Sequence, residues 1–339
     1  MTFEDVLEIK NGKNQRAVEN PMGKYPIYGS GGIMGYANDY ICQAETVIIG
    51  RKGSINKPIF VEVPFWNVDT AFGLEAKREL LLPRYLYYFC LRYDFERLNK
   101  AVTIPSLTKA DLLKIQIELP PISRQADAVK RLMSLERVIS LRQQQISILD
   151  ELIKARFVEM FGDEKNLLTM NEICSIITDG THQPPRFEDV GIPFIFVSNI
   201  TGDKVTYDAE KFIDQDTYDE LIKRTPIEIG DILLSTVGSY GHPAVVKTDK
   251  KILFQRHIAY LKPKKELVDS DYLHGAILSP DAQHQIEEGV KGIAQKTLNL
   301  SEIKKMRIPV PDLGRQKEFS AFVAQIDKSK SAIQRPLIR

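Results

Sequence analysis

The sequence predicts an α+β protein: two tandem mixed α/β domains with β-rich cores, joined by long antiparallel coiled-coil helices. Three observations carry that prediction. The chain repeats itself with a period near 190 residues. Within each copy, short apolar runs bounded by Gly and Pro read as strands. Between the copies, the stretch from Ser123 to Met160 contains neither Pro nor Gly and keeps a heptad spacing.

The repeat is read from four matches in the same order, and internal repeats are best sought before any other feature. Gly53-Ser54-x-x-x-Pro58 and Gly238-Ser239-x-x-x-Pro243 lie 185 residues apart. Asp69–Leu74 matches His257–Leu261 at 188, and Tyr85-Leu86 matches Tyr272-Leu273 at 187. Lys114, Ile117, Pro120, Arg124 and Gln125 fall on Lys305, Ile308, Pro311, Arg315 and Gln316, all at 191. The drift is what small loop insertions produce.

The first domain is placed at residues 1–121. Its strands are expected over Glu45–Gly50 and Pro58–Val63, and a helical stretch over Arg84–Asn99. A short strand then leaves through Pro120-x-x-x-Arg124-Gln125. A spacer helix follows over residues 122–162, with Ser123 as its N-cap and Gly162 as its stop. Stepping by four and three from Ala128 meets Leu132, Leu135, Ile139, Arg142, Ile146, Leu149, Ile153, Arg156 and Met160. This is a narrow apolar seam suited to a helical partner, on a helix about 57 Å long.

The second domain, residues 163–311, repeats the plan with strands at Asp231–Ser235 and Ala244–Lys247 and a helix over Asp271–Glu287. The last segment, residues 312–339, restarts the seam with Phe319, Val323 and Ile326. The seam then decays: Lys330 takes the slot of Ile139, and Pro336 breaks any helix. The second helix is therefore expected to be much the shorter, packed antiparallel on the first. The helix-packing residues are Leu132, Leu135, Ile139, Ile146, Leu149, Ile153, Phe319, Val323 and Ile326.

Composition narrows the function classes. A formal net charge of +1 gives no general attraction to nucleic acid or membrane, so binding of either needs a local patch. Cys42, Cys90 and Cys174 form no CxxC pair and read as buried thiols of a reducing compartment. The start lacks a signal-peptide pattern, and no apolar run reaches membrane length. A cytoplasmic protein is expected.

Catalytic motifs are not found. Gly50-Arg51-Lys52-Gly53-Ser54 has the wrong spacing for a phosphate-binding loop, and no G-x-G-x-x-G opens a helix. Asp69, Glu75 and Lys77 have the residue types of a metal-dependent nuclease, but His257, Pro263 and Lys265 stand at those places in the second copy. All five histidines lie in the second half, which excludes a histidine-ligated metal site common to both copies. Asp179, His182 and His242 remain as an asymmetric metal candidate. Cys174 and His182 have no third partner for thiol hydrolysis.

The copies share their framework and differ in their exposed slots. Ile55-Asn56-Lys57 stands against Tyr240-Gly241-His242, and Thr103–Ser106 against Ala294–Thr297. Polar side chains on a constant scaffold suit two surfaces that read different things, such as base edges and phosphates. The DNA-binding candidates are Arg51, Lys52, Ser54, Asn56, Lys57, Thr103 and Ser106 in the first copy. Those of the second are Thr181, His182, Gln183, Ser239, Tyr240, His242, Lys296 and Thr297. An adaptor that binds two proteins through its duplicated domains is the second reading.

The paired Gly-Ser-x-x-x-Pro loops, "DTAFGLEA" (Asp69–Ala76), "IPSLTKADLLKIQIELPPISRQ" (Ile104–Gln125) and the long helix after them resemble the specificity (S) subunit of type I restriction-modification systems. "DGTHQPPRFEDVGIPFIFVSNI" (Asp179–Ile200) and "RTPIEIGDILLSTVGSYG" (Arg224–Gly241) are similar to one class of its target recognition domains. "YPIYGSGGIMGYAN" (Tyr25–Asn38) with "VIIGRKGS" (Val47–Ser54) is similar to another. The resemblance covers nearly the whole chain. It implies a non-catalytic subunit in which each target recognition domain reads half of an asymmetric, bipartite double-stranded DNA sequence. It also implies helices that fix the spacing and dock two methylation (M) subunits, with restriction/translocation (R) subunits joining for cleavage. S-adenosylmethionine, ATP and Mg²⁺ would belong to those partners, with no cofactor in this chain. The short last helix departs from the family and implies weaker docking of the second methylation subunit.

Overall fold

The computed structural model describes residues 1–100, 104–292 and 296–335. Two compact units are present, Met1–Ser140 and Leu141–Arg339, and the division between them falls inside one continuous helix.

The first unit runs α1 (Phe3–Val6), β1 (Leu7–Asn11), β2 (Tyr25–Gly29), β3 (Gly32–Ala37), β4 (Thr46–Gly50), β5 (Ile59–Val61), β6 (Trp66–Asn67) and β7 (Ala71–Ala76). It continues with α2 (Pro83–Arg92), a 3₁₀ turn (Phe95–Leu98), α3 (Lys109–Leu113) and α4 (Ile122–Phe161). The framework sheet has the order β1-β7-β4-β5, antiparallel throughout. Central β4 is buried at every position, which is why its residues read as a continuous apolar run rather than an alternating one. Val47, Ile49, Phe72 and Leu74 pack with Leu86 and Cys90 of α2 to make the core.

The second unit runs β8 (Leu167–Thr169), α5 (Met170–Ile173), β9 (Cys174–Asp179), β10 (Ile192–Ile195), β11 (Phe212–Ile213), α6 (Gln215–Leu221), β12 (Ile232–Ser235), β13 (Pro243–Val245), β14 (Leu253–Phe254) and β15 (Ile258–Pro263). It ends with α7 (Ser270–Ile277), α8 (Pro280–Gly289), β16 (Val290–Lys291), β17 (Thr297–Leu298), α9 (Leu300–Lys305), β18 (Arg307–Pro309) and α10 (Leu313–Gln334). Its framework sheet, β9-β15-β12-β13, is the first sheet again, strand for strand. The likeness extends where the sequences do not align. In β3-β2-β6 and β11-β10-β14 alike, the central strand pairs antiparallel with one neighbour and parallel with the short strand that leads into the framework. The opening turns also match. Thr2 N–H and hydroxyl donate to Asp5 at 2.7 and 2.9 Å, and Thr169 does the same to Glu172, both at 2.7 Å. These bonds hold both carboxyls below their ordinary range.

Each long helix is fastened to its unit by a buried glutamine. Gln125 Oε1 accepts from Leu82 N–H at 2.9 Å, while its amide donates to the carbonyls of Leu80 and Pro120, both at 2.9 Å. Gln316 repeats this with Asp269 N–H at 2.8 Å and the carbonyls of Leu267 and Pro311 at 3.0 and 2.8 Å. A hydrophobic side chain there would leave a backbone donor and two acceptors without partners.

Several expected elements differ in detail. The helix expected over Arg84–Asn99 ends at Arg92, and Asp94 then caps a separate 3₁₀ turn by accepting from Glu96 N–H. The one expected over Asp271–Glu287 is two helices, because Pro280 starts a new one behind the Ser279 cap. The spacer helix begins at Ile122, one residue before the expected cap. The last helix continues to Gln334 despite its polar sequence. Lys330 there is half-buried and paired with Asp150 and Asp327. Pro336 lies outside the described residues.

Antiparallel contacts between α10 and the second half of α4 run from Arg315 with Glu164 (3.2 Å), through Glu318 with Arg156 (3.5 Å), to the Arg335 carbonyl with Arg142 (2.9 Å). Phe157, Phe161 and Phe319 are buried together with Tyr272, and Ile326 is also buried. Ile153 and Val323 pack against this cluster, and Ile146 and Leu149 are half-buried. The seam positions Leu132, Leu135 and Ile139, expected as helix-packing residues, are exposed. The physical reason is length: 22 residues span about 33 Å against about 60 Å for the 40 of α4.

Replacing Gln316 by Leu is expected to destabilise the second unit by about 1–3 kcal/mol, and Gln125→Leu the first unit similarly. Scanning calorimetry would show a lower Tm confined to the unit carrying the change. At Gly275 an added Cβ would lie 2.5 Å from Phe319 Cε1. The repeat places Tyr88 and Ala128 at the positions of Gly275 and Phe319. Gly275→Tyr alone should cost about 1–3 kcal/mol by overpacking. Adding Phe319→Ala should recover part of that loss in a urea-denaturation double-mutant cycle.

Candidate nucleic-acid interface

The Gly-Ser turn follows the central framework strand in both units. Gly53 and Gly238 have φ of +77° and +74°, and nothing lies within 4 Å of an added Cβ at either. The constraint is thus the left-handed backbone itself, which other residues rarely adopt.

The turn is bonded to two other segments, and this brings distant parts of each copy to one edge. In the first unit, Arg51 N–H donates to Thr70 O at 2.8 Å and Leu107 N–H donates to Arg51 O at 2.9 Å. Gly53 N–H donates to Pro105 O at 3.0 Å, and Lys52 pairs with Ser106 in a short antiparallel bridge. In the second unit, Thr236 N–H donates to His257 O at 3.0 Å and Leu298 N–H to Thr236 O at 2.8 Å. Val237 bridges Thr297 as Lys52 bridges Ser106. Lys52 and Ser106, and likewise Val237 and Thr297, are therefore neighbours in space, although more than fifty residues apart in sequence.

The side chains carried by these edges differ. The first presents exposed Arg51, Lys52 and Lys57, with half-buried Ser54 and Ser106 beside them. The Arg51 guanidinium lies 5.8 Å from the Phe72 ring. The second has a cleft of about 300 Å³ lined by Asp179, Thr236, Val237, Arg256, His257 and Thr297, among others. Exposed Lys296 precedes the lining residue Thr297, and exposed Ser239 follows Val237 at two residues' distance. Burial and the neighbouring Arg256 push the His257 pKa down, so its ring is neutral near pH 7 and offers one donor and one acceptor.

Thr181, His182 and Gln183 follow β9 directly. Thr181 bridges Gln255, which precedes Arg256 and His257. His182 Nε2 is 2.9 Å from Asp179, whose carboxylate also receives the Arg224 guanidinium. Gln183 is exposed. Arg224, Arg256 and His257, at or beside this cleft, were not among the residues expected from the sequence. For the last two a signal existed, since His257 falls close to Asp69 and Thr70 in the repeat; Arg224 lies in a segment with no counterpart in the first copy.

Other candidates lie elsewhere. Asn56 Oδ1 accepts from Phe95 N–H at 2.7 Å and its amide donates to Asp94 at 3.1 Å, so the side chain is spent on the 3₁₀ turn. Tyr240 packs against the hydrophobic core, and His242 Nδ1 lies 3.6 Å from Asp203. Neither lines the cleft. Thr103, Ala294 and Gln295 lie outside the described residues.

The residues weighed for catalysis from sequence are separated or otherwise engaged. Asp69 lies in the turn before β7, and Glu75 lies toward the far end of that strand, about 13 Å from its first residue, so the two carboxylates are not brought to one phosphate. Lys77 is bonded to the carbonyls of Glu4 and Asp5 instead. His182 and His242 have separate carboxylate partners, and no group of three His, Cys, Asp or Glu among the described residues could hold a metal. Cys42, Cys90 and Cys174 are free and buried. Burial pushes the Cys42 and Cys174 thiols up to about 12 and Cys90 further, so none ionises near neutrality.

The chain is 23% identical over 348 residues to the EcoBI type I restriction enzyme specificity subunit of Escherichia coli, covering 92% of this chain and 72% of that protein. It is 21% identical over 313 residues to the MjaVIII specificity subunit of Methanocaldococcus jannaschii, covering 84% and 70%. The fold is shared with the type I restriction-modification S subunit of M. genitalium, with TM-score 0.56 and 16% identity over 98% of this chain and 90% of that one. A chain from a structure of type I restriction-modification complex assembly gives TM-score 0.54 and 18% identity over 99% and 91%. The profile described as "Type I restriction modification DNA specificity domain" matches residues 1–150 and again 164–338. Both copies are thereby accounted for, and the chain belongs to the type I restriction-modification DNA specificity family.

Proposed function

We propose that this chain is the non-catalytic specificity subunit of a type I restriction-modification complex, whose two edges read the two halves of an asymmetric, bipartite DNA target. The observation that carries the reading is one edge built twice, by the same bonds between the same three segments, with different polar side chains on it. Equal framework fixes where DNA would lie, and unequal side chains make the half-sites unlike. Family membership of both copies favours this over an adaptor between two proteins.

The recognition domains are assigned to residues 1–121 and 163–311, and the spacer helices to 122–162 and 312–339. These helices would set the distance between half-sites and dock the methylation subunits, with restriction/translocation subunits joining them. S-adenosylmethionine, ATP and Mg²⁺ would act on those partners. No described helix is long and apolar enough to cross a membrane. A cytoplasmic setting, where the DNA is, fits the reading.

Three outcomes are expected. Lys52→Ala in the complex with methylation subunits should weaken DNA binding and reduce the slope of log K against log salt by about 0.9, if Lys52 meets one phosphate. Gel-shift titrations at several salt concentrations would measure it. Gln183→Ala or Lys296→Ala should alter only the second half-site, as read by methylome sequencing; a change in the first half would contradict the assignment. Deleting Gln143–Leu149 shortens α4 by about 10 Å. It should change the spacer between half-sites or abolish assembly, and methylation with unaltered spacing would refute the ruler role.

A further inference from the structure

Asp179 ends β9, and its carboxylate holds two other side chains at the second edge. Oδ1 accepts from Arg224 Nη2–H, and Oδ2 accepts from His182 Nε2–H at 2.9 Å. Arg224 Nη2 also lies 3.4 Å from the Thr178 hydroxyl and 3.5 Å from His182 Nε2. The backbone beneath is fixed. Asp179 pairs with Ala259, Gly180 N–H donates to Ile258 O at 3.1 Å, and Thr181 N–H donates to Phe254 O at 2.8 Å. A Cβ at Gly180 would lie 2.3 Å from the Phe254 carbonyl oxygen, so only glycine permits this approach.

Two arginines at this cleft differ in their electrostatic setting. The Arg224 side chain is 53% exposed, and its charge is matched by a carboxylate that is itself only 17% exposed. Its bonds all run through Nη2, which leaves Nη1 and Nε without a hydrogen-bond partner among the described residues. Arg256 is exposed, lines the cleft and has no carboxylate partner among the described residues. A carboxylate beside a cation repels phosphate and cancels much of the attraction. A neutral base edge instead rewards a planar fork already held in one orientation.

We propose that the second edge reads a guanine through Arg224, with Asp179 as the residue that positions it, and that Arg256 holds a backbone phosphate beside that base. The assignment rests on the specificity reading given above. Guanine presents two acceptors in the major groove, O6 and N7, which a guanidinium meets with two N–H donors. Both Asp179 oxygens are engaged, by Arg224 and His182, so the carboxylate does not itself accept from a cytosine or adenine amino group. At the 167-residue offset that aligns the two opening turns, Asp179 falls on Gly12. The first edge thus carries no carboxylate at this place, and the device belongs to the second half-site alone.

The test uses the complex assembled with methylation subunits. Methylome sequencing first gives the two-part target, and competition titrations then use duplexes changed at one base pair at a time. The unaltered complex should prefer G·C at one position of the second half-site by about tenfold or more. A guanine analogue lacking N7 at that position should lose most of the preference, a result that needs no change to the protein. Arg224→Lys, which keeps the charge, and Asp179→Asn should lower discrimination at that position alone. Arg256→Ala should weaken binding to every sequence alike and reduce the slope of log K against log salt by about 0.9. A second half-site without guanine, full preference for the analogue, or Arg224→Lys with undiminished discrimination overturns this assignment alone. A complex with no sequence preference in its second half overturns the specificity reading as well.

Discussion

Gln125 and Gln316 each satisfy one backbone donor and two backbone acceptors at the point where a long helix leaves its unit. Both side chains are fully buried, so water cannot replace the bonds they make. The bonded backbone belongs to the entry of α2 or α7 and to the Pro-x-x-x-Arg-Gln exit. One side chain therefore ties the start of the long helix to the helix that packs on the framework sheet. The direction in which each long helix departs depends on this joint, and with it the register of every seam residue that follows.

Above the joint the two units use one framework for different ends. The strand order, the opening Thr–carboxylate turn and the bonds around Gly53 and Gly238 are repeated, while the side chains at the edges are not. The first edge is rich in exposed cations. The second forms a cleft with a neutral histidine, an arginine and a carboxylate. Such a division lets the chemistry of the edge change without disturbing the core, because exposed edge side chains contribute little to packing.

Much of this was legible in the sequence for identifiable reasons. Gly53 and Gly238 are fixed by backbone conformation, and the two glutamines by three bonds each, so these residues kept their identity and exposed the repeat. The opening turns were missed because Asp5 and Glu172 perform one task with different side chains, and because they lie 167 residues apart rather than about 190. The satellite sheets β3-β2-β6 and β11-β10-β14 were missed because they are held by main-chain bonds, which many sequences can make. Asn56, Tyr240 and His242 were read as free because polar type and position in a variable slot do not reveal a partner. Asn56 turned out to be occupied by Phe95 and Asp94, and His242 to stand beside Asp203.

The sequence by itself determined the duplication, the long spacer helix and the family, since these rest on periodic or conformationally constrained residues that leave a linear trace. Tertiary structure alone decided which variable residues share an edge and which seam residues are covered. The first depends on hydrogen bonds between segments some fifty residues apart. The second depends on how far a helix of 22 residues reaches along one of 40. Heptad spacing marks a face as able to pack, but only the position of a partner removes that face from water.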